Sequence, residues 1–189
     1  MNKTREENMF RMPACGEFLR IYRQLQADSG LIVPPRKLLH MRSVPSIAPY
    51  FGIFEVKGPT EIRVRLVGTG FVLRTGIDNT GRNALDLLPE GLRDWTAHHF
   101  RRMVETPCGS VCVSREAYGS AHMLTEVLSL PFADGEGKPV IIVSASIPFD
   151  RPEFIVERDR MSIGGFHSVI YFDIGAGTGV DARRQAKLA

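Results

Sequence analysis

"GSVCVSREAYGSAHMLTEVLSLPFADGEGKPVIIVSASIPF", residues 109–149, decides the fold. It contains three apolar-rich stretches separated by Gly119-Ser120 and by ADGEGK, and short glycine-bearing connections of this kind join hairpin partners. A parallel crossover needs a dozen or more residues, so these three strands must pair antiparallel. The last stretch is apolar on both parities through Ile141, Ile142 and Val143, as a central strand covered on both faces would be. Ser144, Ala145 and Ser146 then leave room, either for close helix packing or for a ligand.

Upstream, "YFGIFEVKGPTEIRVRLVG" reads as two more strands about a Gly58-Pro59 turn, with Ile62, Val64 and Leu66 alternating against Arg63 and Arg65. Glycine, Asn and Asp punctuate residues 69–91 and predict short helical turns. Residues 91–105 return to helical spacing, with Leu92, Trp95, Phe100, Met103 and Val104 on one side. Near the start, Phe18, Ile21, Tyr22 and Leu25 fall at i, i+3, i+4 and i+7, one face of a helix that Gly30 would end. Four prolines in residues 31–50 make that segment a linker. The fold class predicted is α+β: a five-stranded antiparallel sheet with helices on one face, preceded by an amphipathic N-terminal helix. The predicted division is an extension and helix over 1–33, a domain over 34–150, and a C-terminal extension over 151–189. That extension could add a short strand at Ser168–Phe172, and its last ten residues are expected to fray.

Composition is that of an ordinary globular chain, 43% hydrophobic and 24% charged, with a net charge of only +3. The basic residues are dispersed among acidic ones, which argues against a phosphate-neutralising face and against nucleic acid as a partner. No apolar run is long enough to cross a bilayer, and residues 1–18 lack the apolar segment of a signal peptide. Three cysteines do not make a disulfide framework. The expected location is the cytoplasm, with no membrane partner.

"DIGAGTG", residues 173–179, follows an apolar run and resembles the glycine loop with which class I methyltransferases hold S-adenosylmethionine. Its context is wrong: ten residues remain after it, and the chain upstream offers hairpins rather than a parallel sheet. Gly68 and Gly70 in "VRLVGTGFVLRTG" fail the dinucleotide pattern, because position 73 is Leu. Cys108 and Cys112 have no matching pair of zinc ligands, and the strand pattern makes Cys112 a small buried hydrophobe. His99 borders the apolar face of the 91–105 helix, while His98 points toward solvent; an imidazole there could meet haem iron or a small ligand. Asp86, Glu90, Asp94, Glu116 and Glu126 announce no catalytic pair, and neither a nucleophile elbow nor a P-loop occurs.

The order of elements, together with "RVRLVGTGFVLRTGIDNTGRNALDLLP", a helix ending "VETP", "TEVLSLPF", "DGEG" and "VIIVSASIPF", resembles a PAS domain, and more narrowly the short bacterial single-PAS proteins. The resemblance covers residues 34–150 and implies a sensory or protein-interaction module with a pocket between sheet and helices. Ligands across the superfamily include haem, flavin and small metabolites. Flavin photosensors carry a cysteine in an N-C-R-F-L-Q-like run; the corresponding "NTGRNALDLLP" has none. The predicted function is a non-catalytic regulatory protein of signal transduction, acting through a small ligand, a protein partner, or both. Trp95, His99, Phe100, Met103 and Ser144 are the predicted pocket residues, with no catalytic or metal-binding residue. Phe18, Ile21, Tyr22 and Leu25 are the predicted interface of a homodimer. A methyltransferase-like enzyme and a haem sensor are the alternatives.

Overall fold

The structure, a computed structural model, describes residues 9–118, 121–150 and 162–178. Helix α1 (Pro13–Ser29) is followed by three 3-10 turns over Arg36–Leu38, Met41–Ser43 and Ala48–Tyr50. Then come β1 (Phe51–Gly58), β2 (Glu61–Val67), α2 (Thr69–Thr75), a 3-10 turn at Ala84–Leu87, and α3 (Glu90–Glu105). Strands β3 (Cys108–Tyr118), β4 (Ala121–Phe132), β5 (Ile141–Asp150) and β6 (Ser162–Asp173) complete the described chain. The strands form one sheet in the order β2-β1-β5-β4-β3-β6, and every neighbouring pair is antiparallel. The Gly119-Ser120 connection and the last ten residues lie outside the described residues, but β3 and β4 pair as far as Tyr118↔Ala121.

The sheet has six strands, not five. The extra one is β6, which pairs with the outer edge of β3 along Cys108–Ala117. It is longer than the short segment expected at Ser168–Phe172 because two bulges interrupt its alternation, between the partners of Val113/Ser114 and of Arg115/Glu116.

Pro13 suits the first turn of α1, and Gly30, in the left-handed region at φ 67°, ends it. The apolar stripe of α1 is consumed within the chain. Phe18 and Tyr22 are completely buried beside Phe51, Leu128, Phe132 and Ala145, while Ile21 and Leu25 pack half-buried on the same core. Tyr22 also donates its hydroxyl to the Pro131 carbonyl at 2.8 Å. The homodimer interface expected through Phe18, Ile21, Tyr22 and Leu25 is therefore corrected: the chain's own sheet covers these side chains and leaves no continuous apolar stripe for a second copy. At the start of α1 the buried Glu126 carboxylate accepts the amides of Arg11 and Met12, each at 2.8 Å, fixing the helix to β4.

The glycine motif after β6 is a turn. Asp173 Oδ1 accepts the amides of Gly175 and Gly177, both at 2.7 Å, and holds them at φ 118° and 80°, where glycine is the residue of choice. The donors a nucleotide phosphate would need are thus already used by the motif's own acid. Every neighbouring strand pair among the described residues is antiparallel, so they lack the parallel sheet on which the methyltransferase alternative depends. Arg23 and Gln26 of α1 donate to the Asp173 and Ile174 carbonyls, so the turn serves as a clasp between β6 and the first helix.

Candidate functional site

α1 covers one face of the sheet; α2, α3 and the loop between them cover the other. On that second face, Gly52 of β1, Ser144 of β5, Ser129 of β4 and Ser110 of β3 stand in register across four strands. In the middle of this row Ser129 and Ser144 leave volume that valines would fill, and helix packing above does not close the gap; at its ends the Phe54 ring covers Gly52, and Ser110 lies under Met103 and His99. The result is a cavity of about 280 Å³.

Its floor is Gly52, Ser129, Ser144 and Ser146, with Cys112, Ser114 and Glu116 beyond them on β3. Phe71 and Thr75 of α2, together with Ile77, Asn79, Leu87 and Leu88, form one wall. α3 supplies the roof through Trp95, Thr96, His99 and Phe100. The part of β6 that precedes the segment expected as a strand supplies the last wall, Ile163 and Phe166.

Four of the five residues expected to form the pocket, Trp95, His99, Phe100 and Ser144, are brought together on this cavity. Met103 is not: it sits one turn further along α3, completely buried with Val56, Cys108 and Ile142. Its sulfur receives the Ser110 hydroxyl at 3.3 Å.

His99 is held by both ring nitrogens. Nδ1 lies 2.7 Å from the Tyr171 hydroxyl and Nε2 lies 3.4 Å from Ser110 Oγ. Because Ser110 donates to Met103, it accepts from Nε2–H, and Tyr171 then donates to Nδ1. The ring stacks on Trp95 at 4.9 Å and 10°. Burial, then the nearby Arg102 and His98, depresses its pKa to about 3, so the imidazole is neutral. No lone pair is left for an iron, and His98 is exposed on the opposite side of α3. The haem alternative therefore has no axial ligand on this helix.

Ser110, His99 and Tyr171 form a chain that invites comparison with a nucleophile and its base. The comparison fails, because Ser110 is completely buried off the cavity and an imidazole depressed to about 3 does not accept protons near neutrality. Glu116 and Glu126 stand on opposite faces of the sheet and cannot act together.

At one end of the cavity Arg74 and Glu116 form a buried ion pair at 3.7 Å. Arg74 also donates to Ser146 O and Oγ, both at 3.2 Å, and Tyr118 donates to Glu116 at 2.9 Å. The charges neutralise each other within the protein. Arg74 Nε makes no hydrogen bond, and in the roof Thr96 Oγ1 is likewise buried with no hydrogen-bond partner. Burial pushes the Cys112 thiol up to about 12, making it an inert part of the floor.

β6 is tied to the roof by aromatic contacts. Phe166 lies 4.3 Å from Trp95, and the Arg102 guanidinium sits 4.6 Å over the Tyr171 ring. Arg102 also donates to the Thr178 carbonyl at 2.9 Å.

Of the residues the sequence reading passed over, Ser129 was accessible to it: two hairpins with short connections place it opposite both Ser110 and Ser144. Arg74 and Glu116 carried no local signal, since 42 residues separate them.

No protein-family model matches the chain, and no curated protein matches it. Solved structures do. It is similar to a light-oxygen-voltage (LOV) domain whose mechanism was probed with a flavin analogue, at 17% identity over 58% of this chain and 83% of that one, with a TM-score of 0.43. It is similar to the LOV protein of Rhodobacter sphaeroides, at 14% identity over 61% and 71%, TM-score 0.42. It is also similar to the LOV domain of the blue-light photoreceptor Aureochrome1 in its light state, at 17% over 61% and 91%, TM-score 0.39. LOV domains are a subfamily of the PAS superfamily. At this level of similarity nothing about ligand or activity carries over to the present chain.

Proposed function

We propose that this chain is a non-catalytic, PAS-type sensory module of the cytoplasm that binds a small molecule between its sheet and α3 and signals through its C-terminal strand. Residues 34–150 form the sensory core, and β6 completes its wall. The observation that carries the reading is the cavity of about 280 Å³, mostly apolar and capped by the unpartnered Thr96 hydroxyl. A concave, mostly apolar cavity of this size with a few polar groups in its walls is the usual setting for a small-molecule site. Three unpaired, buried cysteines are in keeping with a reducing compartment.

The route of the signal follows the contacts. A ligand under Trp95 and His99 touches the two roof residues that hold Phe166 and Tyr171 of β6. Occupancy changes the balance between docked and displaced β6 only by the ligand's differential affinity for the two arrangements. The clasp at Asp173 links that strand to α1.

Native mass spectrometry of freshly purified protein tests this. The expected result is a complex heavier than the 21.1 kDa chain, its extra mass lost on denaturation. Bare chain that also shows no binding in a fragment screen would defeat the proposal.

A further inference from the structure

We infer that the ligand is a compact, uncharged, planar molecule of about two fused rings, carrying hydrogen-bonding groups on two sides. This rests on the binding function just proposed and specifies it.

Size comes first. An apolar cavity of about 150 Å³ accommodates benzene, so about 280 Å³ corresponds by proportion to roughly 11 non-hydrogen atoms. That is the size of a substituted bicycle and far below a haem or a flavin nucleotide. Shape follows from the lining: Phe54, Phe71, Trp95, Phe100 and Phe166 present ring faces and edges, which favour a flat aromatic body.

Charge is excluded by what the described lining already contains. Glu116, the one carboxylate of the described lining, already has Arg74 and Tyr118 as partners. Arg74 stands behind the lining with its charge countered by Glu116 and only its Nε without a hydrogen bond, so a buried anion or cation on the ligand would meet no free countercharge there. The one Lys or Arg in the described lining, Arg82, is exposed and donates to Asn79 Oδ1 at 3.2 Å.

Polarity comes from two opposite walls. On the floor, Ser129 and Ser144 share one hydrogen bond of 2.7 Å, which leaves the accepting hydroxyl with its own proton to donate. On the roof, Thr96 is only 6% exposed and its hydroxyl is unpartnered. A buried hydroxyl without a partner is unfavourable, and a ligand that satisfies both walls removes that penalty.

The test uses three probes. 4-Quinazolinone is a neutral bicyclic lactam of about 11 non-hydrogen atoms, with a carbonyl acceptor and its N–H on one edge and a ring-nitrogen acceptor on the edge opposite the carbonyl. Naphthalene has the rings without polar groups, and quinoline-2-carboxylate adds a charge. The chain's single tryptophan, Trp95, lies on the cavity and reports binding by fluorescence, with calorimetry as a second readout. 4-Quinazolinone should bind about tenfold tighter than either control, the difference of one well-made hydrogen bond or one buried charge. Thr96→Val, which keeps the shape, should remove most of the lactam's advantage and leave naphthalene unchanged; Ser144→Ala should act in the same direction. Carboxylate affinity equal to the lactam's, or equal losses for lactam and naphthalene in Thr96→Val, would overturn the inference. Absence of lactam binding also overturns it. In that case, a larger mass retained by the fresh protein leaves the sensory reading standing, and bare chain removes both.

Discussion

The two faces of this sheet are built from the same strands, one residue out of step, and they do opposite things. Facing α1, the register row Phe51, Ala145, Leu128 and Val111 is filled by apolar side chains. Facing α3, the adjacent row is Gly52, Ser144, Ser129 and Ser110. Period-two alternation means that β5 sends Val143, Ala145 and Ile147 into a core and Ser144 and Ser146 into a cavity. Tyr22 and Glu126 on the α1 side have their partners inside the protein, whereas Thr96 on the cavity side does not. One face supplies stability and the other supplies a cavity with an unpartnered hydroxyl in its roof.

The largest effect that could break this contrast lies on the packed face. Phe18→Ala removes a completely buried ring 4.8 Å from Phe51, and a loss of about 3–5 kcal/mol is expected. Urea unfolding followed by far-UV circular dichroism measures it. A loss below about 1 kcal/mol, the range of surface changes, would mean that α1 is not docked as described, and the apolar stripe would again be free for a partner.

A somewhat smaller effect sharpens the contrast from the cavity side. His99 is neutral in the folded chain with a pKa of about 3, against 6.5 when exposed. Unfolding therefore takes up a proton below about pH 6.5, and stability falls as pH drops from there toward 3. At about 1.4 kcal/mol per unit, His99 accounts for a loss of roughly 3 kcal/mol by pH 4. Urea midpoints of the wild type and of His99→Gln across pH 4–7 give the comparison. The variant should be less stable at neutrality and show a flatter acid limb. Parallel limbs would place the acid sensitivity elsewhere.

Much of the fold was written in local pattern. The hairpin connections, the double-sided apolar run of β5 and the helical spacing around Trp95 each depend on neighbours within a few residues, and each element stands where the pattern put it. Of the sixth strand only Ser168–Phe172 was legible, because bulges at the glycine-rich "IGGF" and at His167 break the alternation that marks its first half as a strand. The pocket was half legible. Trp95, His99 and Phe100 share a helix face, and Ser144 is a small residue in a central strand, but the partners that turn a small residue into a cavity come from three other strands. The expectation for α1 went wrong in a physically instructive way. An amphipathic stripe demands cover without naming its source, and here the source was the chain's own sheet.

The smallest effect is the most discriminating, because it concerns side chains that look central and should matter little to stability. Ser129 and Ser144 are buried, adjacent and hydrogen-bonded to each other at 2.7 Å. Removing either hydroxyl strands the other, and each single alanine variant should lose about 1 kcal/mol in urea unfolding. Removing both takes away the bond and the stranded group together, so the double variant should be no worse than either single, a coupling of about 1 kcal/mol in a double-mutant cycle. The same pair of changes at Val143 and Leu130, register partners on the α1 face, should lose several kcal/mol in roughly additive steps, because the missing volume there leaves a void that nothing refills. A double serine variant as damaged as that pair would show that the cavity row supports the sheet, and the division of labour between the two faces would be lost.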